Sequence, residues 1–71
     1  MRFEVVTSEV APHTIRYFVR DTHTGQFVVY SYSNPPTYET PMLPRSEWGN
    51  YYAARGFAQK LHAKQYGACY H

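Results

Sequence analysis

The residues best suited to chemistry in this chain are four histidines, His13, His23, His62 and His71, and one cysteine, Cys69. Imidazole and thiolate together can hold zinc, but such sites bring their ligands in closely spaced pairs of a recognisable pattern. No pair here has that spacing, and "CYH" at Cys69 to His71 is too tight for it. A cysteine near a histidine could also be a nucleophile with its base. That chemistry needs a held, oriented pair, and the last residues of a chain are expected to fray. The carboxylates Glu4, Glu9, Asp21, Glu39 and Glu47 are scattered, so no pair is visible for general acid–base work, and no glycine-rich phosphate loop is present. The expectation is a protein that is not an enzyme and holds no metal or cofactor.

Recognition chemistry is more visible. The stretch "RYFVRDTHTGQFVVYSY", Arg16 to Tyr32, interleaves arginines with aromatic rings across a hairpin-like segment. A three-residue loop of His23, Thr24 and Gly25, with the glycine in the left-handed region, would pair Thr22 with Gln26. In that register Arg20 opposes Val28, Phe18 opposes Tyr30 and Arg16 opposes Tyr32. Because side chains alternate along a strand, one face then carries Arg16, Phe18, Arg20, Tyr30 and Tyr32. The other carries Ile15, Tyr17, Val19, Asp21, Phe27, Val29 and Ser31 and is expected to face a core. An aromatic and basic sheet face can stack bases and contact phosphates. Equally, it can form the centre of a protein interface, where aromatic residues and arginine are enriched. The bland reading is cross-strand pairs with arginine stems lying over rings in water.

These residues need elements to position them. Arg2 to Val10 is valine-rich and reads as a first strand, with "APH" at Ala11 to His13 as a turn. Thr14 to Arg20 reads as the second strand and Gln26 to Ser33 as the third. "NPPTYETPMLPRS" has four prolines between Pro35 and Pro44, so residues 34–45 are expected to be an extended, rigid connection. "PPTY" within it matches a PPxY pattern and "PMLP" a PxxP pattern, but both are short enough to arise by chance. From Ser46 to Tyr66 the chain reads as a helix, capped by Ser46 and ended by Gly67. On that helix Tyr51, Ala54, Phe57, Ala58 and Leu61 share one side. Trp48, Tyr52, Arg55, Gln59 and Tyr66 fall near the other. Tyr52 and Arg55 therefore join the candidate binding residues.

The resulting fold class is α+β: one domain, residues 1–71, with a three-stranded antiparallel meander and one C-terminal helix packed on one face. Composition agrees with a folded chain. Aromatic residues make up 18% of it, including eight tyrosines, whereas disordered segments are poor in aromatics. A chain of 71 residues buries only about 60% of its unfolded surface, so a partner or a second copy could help to stabilise it. The formal net charge is +2, and a pI of about 8.8 is below that of most nucleic-acid-binding domains. "MRFEVVTSEV" has no long apolar run, so neither a signal peptide nor a membrane span is expected. A single cysteine suits a reducing, cytoplasmic setting. The leading expectation is a small interaction protein that binds another protein through the aromatic and arginine-rich surface. Its size would suit a phage or mobile-element regulator or inhibitor of a host machine. The alternatives are a nucleic-acid-binding module using Arg16, Arg20, Arg55, Lys60 and Lys64, and a homodimer joined through open sheet faces or edges.

Overall fold

The segment FEVVTSEVA forms strand β1, Phe3–Ala11, and TIRYFVRD forms β2, Thr14–Asp21, in a computed structural model that describes residues 1–67. Cys69 and His71, considered above as metal ligands, lie outside the described residues. The two strands pair antiparallel, with Val5 opposite Val19 and Val6 opposite Phe18. Pro12 and His13 make the turn. His13 has φ of 62°, in the left-handed region that histidine enters more readily than most side chains. The register slips between Glu9 and Ala11, as it does where a bulge inserts one residue into a strand.

The sheet stops at two strands, which corrects the three-stranded meander. Gly25 is in the left-handed region as expected, with φ of 75°, but the loop is Thr22 to Gly25, one residue longer. Its start is fixed by Asp21, whose carboxylate accepts the backbone N–H of His23 at 2.9 Å, the local bond by which aspartate initiates turns. The Asp21 N–H donates to Gln26 O, and Arg20 rather than Thr22 becomes the next paired residue, opposite Phe27. A slip of one residue exchanges faces. Val28 therefore enters the core, and Phe27 joins Phe18 on the far side.

Beyond Val28 the chain leaves β2. The Val29 N–H donates to Thr37 O and the Glu39 N–H to Phe27 O, so the expected third strand pairs with the proline-rich connection instead. The vacated edge of β2 is taken by Trp48, which exchanges both backbone hydrogen bonds with Tyr17 at 2.8 Å. Extended backbone at Trp48 prevents a helix from starting at Ser46. Helix α1 instead spans Tyr51–Tyr66, with Asn50 Oδ1 accepting the N–H groups of Tyr52 and Ala53. Asparagine is among the best residues for that position. Gly67 ends the helix as expected.

The core lies between the sheet and α1: Phe3, Val19 and Val28 against Ala54, Phe57, Ala58 and Leu61. Both alanines are fully buried. The expected helical stripe is thus met, except that Tyr51 sits exposed at its margin, and Val28 replaces Val29. Ile15, expected in the core, is exposed near the end of the hairpin.

The connection closes the opposite face. Phe27 meets Phe18 edge-on at 6.0 Å, and the Arg45 guanidinium lies 3.8 Å from the Phe27 ring centroid. Glu39 accepts both Arg45 Nε and Nη2. On the core side, Asp21 is wholly buried and accepts Arg2 Nε at 3.0 Å, Arg2 Nη2 at 2.8 Å and the Tyr38 hydroxyl at 2.5 Å. Burial alone would raise its pKa. The hydrogen bonds from Arg2, Tyr38 and the His23 backbone outweigh that and hold it down at about 2. This network ties the start of β1, the end of β2 and the connection together. The "PPTY" tyrosine is therefore consumed internally, and Pro36 beside it is buried.

Candidate partner-binding surface

The seven candidate binding residues, five expected on the sheet face and two on the helix, are divided among several places. Phe18 is buried beneath Phe27 and Arg45, so its expected exposure is corrected. Arg20 is exposed but paired with Glu4, its cross-strand neighbour. Arg16 is held 3.4 Å from Glu47. Tyr30 and Tyr32, no longer aligned with β2, cross to the helix side. Tyr52 and Arg55 are exposed on α1. The basic-aromatic sheet face is thus not formed. Of the sites open to a dimer, the outer edge of β2 is occupied by Trp48, Phe27 and Val28 from within the chain, whereas β1 pairs with β2 alone.

What forms instead is an aromatic surface built on Phe57. Phe57 is only 2% exposed, and three rings lie around it. Tyr30 stacks on it at 5.2 Å and 22°, Trp48 at 5.0 Å and 28°, and Tyr32 meets it tilted at 5.4 Å. Tyr30 and Tyr32 also contact each other edge-on at 5.4 Å. Yet Tyr30 remains 57% exposed and Tyr32 40%. From Tyr17, the backbone partner of Trp48, edge-on contacts run to Tyr51 and then Tyr52. Tyr52 is 73% exposed.

The segment that presents these rings is held at several points. The Tyr30 N–H donates to Ser46 Oγ at 2.7 Å, Gln65 Nε2 donates to Ser33 O at 2.6 Å, and the Ser33 and Thr37 hydroxyls lie 3.2 Å apart. A tyrosine pair so anchored offers contact area with little ordering left to do on binding.

Charge is distributed just as unevenly. Four arginines, at 2, 16, 20 and 45, each neutralise a carboxylate. The remaining charged side chains are Glu9 and the helix cations Arg55, Lys60 and Lys64, which leaves the formal +2. Among the described residues those three cations make no ion pair, and α1 contains no acid. Arg55 lies on one flank of the helix. Lys60 and Lys64 lie on the other, toward Tyr32 and Asn34, with which they line an open cleft.

The importance of Trp48 and Phe57 as supports, and of Lys60, Lys64 and Asn34 as neighbours of Tyr32, was not accessible from local patterns. The only sequence signal is that Lys60 and Lys64, one turn apart, follow Phe57 by three and seven positions on the same side of the helix. Of the histidines, His62 Nδ1 accepts the Arg2 backbone N–H at 3.4 Å, while His13 and His23 occupy separate exposed turns. Among the described residues no group of three histidine, cysteine or acidic side chains could hold a metal ion, and no helix is long and apolar enough to cross a membrane. No protein-family model, curated protein or solved structure matches the chain.

Proposed function

We propose that this is a non-enzymatic interaction protein that binds a partner protein through the surface formed by Tyr30, Tyr32 and Trp48, extended by Tyr51 and Tyr52. The observation that carries the reading is the pair of exposed tyrosine rings fixed against buried Phe57. Large, rigid, amphipathic rings are the residues from which protein interfaces draw most of their energy. With recognition rather than chemistry as its resource, a chain of this size suits a regulator or inhibitor of a larger assembly.

The test is capture of a partner from lysate of the cells that encode the protein, using Tyr30→Ala, Tyr32→Ala and Met42→Ala as baits. Met42 is 92% exposed on the tip of the connection, where Thr40 and Leu43 exchange backbone hydrogen bonds, and serves as the control. The few hot-spot residues of an interface cost about 2 kcal/mol or more on truncation, roughly 30-fold in affinity. The tyrosine variants should lose the partner while circular dichroism stays native, and Met42→Ala should retain it. Capture that survives both tyrosine substitutions, or that disappears on nuclease treatment, would overturn the reading.

A further inference from the structure

Beside the tyrosine pair, α1 and the loop after Tyr32 border an open cleft of about 640 Å3 lined by Tyr32, Asn34, Lys60, Ala63, Lys64 and Gly67. Sites for small organic ligands commonly span about 300–1,000 Å3. Three of its polar groups are unused. The Asn34 amide and the Lys60 and Lys64 ammonium groups have no side-chain hydrogen bond or ion pair with another described residue, although every side-chain carboxylate except Glu9 is engaged elsewhere.

We propose that this cleft binds a nucleotide, with the phosphate between Lys60 and Lys64 and the base against the Tyr32 ring within reach of the Asn34 amide. Each part of that ligand answers one wall of the cleft. Two ammonium groups one helical turn apart provide the compact positive charge that phosphate recognition uses. A ring face stacks any base, and an amide offers both a donor and an acceptor to the base edge. The helix C-terminus near Gly67 opposes an anion with about half a negative charge. Two full positive charges exceed it, so the cleft remains favourable to a phosphate. An acidic peptide would engage the lysines but leave the ring and the amide without a specific counterpart. The cleft shares Tyr32 with the partner-protein surface, but Tyr30, Trp48 and Tyr52 take no part in it and Lys60 and Lys64 take no part in that surface, so the double lysine variant tests the cleft separately.

The nucleotide could be free or the phosphorylated end of a single strand, and both sources are included in the test. The 15N-labelled full chain is titrated with uridine 5′-monophosphate, uridine, inorganic phosphate, a 5′-phosphorylated tetranucleotide and a tetraglutamate peptide. The expected result is saturable shifts of the Asn34, Lys60, Ala63 and Lys64 amides with the monophosphate. Uridine and phosphate alone should bind at least ten-fold more weakly. Lys60→Gln combined with Lys64→Gln should weaken monophosphate binding at least ten-fold, and Tyr32→Ala should bring it down to the level of inorganic phosphate. Tetranucleotide binding tighter than the monophosphate identifies a strand end as the source, and equal or weaker binding identifies the free nucleotide. The proposal is overturned if neither nucleotide ligand gives saturable shifts, if the double lysine variant binds the monophosphate as the parent does, or if tetraglutamate binds as tightly.

Discussion

Replacing Asp21 by asparagine preserves the shape of a wholly buried side chain and removes its charge. The folded carboxyl titrates at about 2 against an ordinary value of 3.8. A difference of nearly two units corresponds to roughly 2 kcal/mol of folding stability. Because the folded pKa is lowered, that stability is present in full above about pH 5. It falls to about half near pH 3 and is mostly lost by pH 2. Asp21→Asn should therefore cost roughly 2 kcal/mol at pH 7, and the two proteins should converge as the pH approaches 2. Asp21→Ala should cost more, about 3 kcal/mol, because it leaves the Arg2 guanidinium unpaired. The Arg2 side chain is still 17% exposed, which keeps the penalty at the low end of the range for buried pairs. Urea denaturation followed by circular dichroism between pH 2 and pH 7 measures both quantities. Glu39 is also held below its usual range by Arg45, so the informative quantity is the difference between parent and variant at each pH. If the two stability profiles run parallel from pH 7 to pH 2, the Asp21 network does not stabilise the fold in the way described.

Three further substitutions probe the proline-rich connection and the start of α1. Tyr38→Phe removes the hydroxyl that donates to Asp21 and should cost about 1–2 kcal/mol at neutral pH. Burial, followed by hydrogen bonding to Asp21, raises the Tyr38 pKa above 10, so the parent should lose stability as pH rises through that value, and the variant should lose less in the same denaturation measurement. Asn50→Ala removes the acceptor for Tyr52 and Ala53 and should cost about 1 kcal/mol, with faster amide exchange at both residues. Ser46→Ala should leave those two amides as protected as in the parent, since the helix does not begin there.

The sequence by itself determined much of what is governed by neighbours in the chain. A valine-rich segment before Pro12 and a segment of β-branched and aromatic residues after His13 specify the β1–β2 hairpin, and Gly25 marks the left-handed position of the next turn. Apolar residues at 54, 57, 58 and 61 specify the buried stripe of α1, and Gly67 its end. These features follow from local backbone preferences and from the periods of strand and helix. Tertiary structure decided which backbone fills the outer edge of β2. Trp48 and the segment after Gly25 were both competitors for it, and their separation in sequence conceals that competition. Asp21 settled the matter by fixing the turn one residue earlier, since its buried charge required Arg2 and Tyr38 together. With the register moved by one, the aromatic residues of "RYFVRDTHTGQFVVYSY" separated. Phe18 and Phe27 went beneath Arg45, whereas Tyr30 and Tyr32 came to rest on Phe57. The exposed aromatic surface, and the lysine-lined cleft beside it, exist because a hydrogen bond at a turn reassigned the faces of a strand.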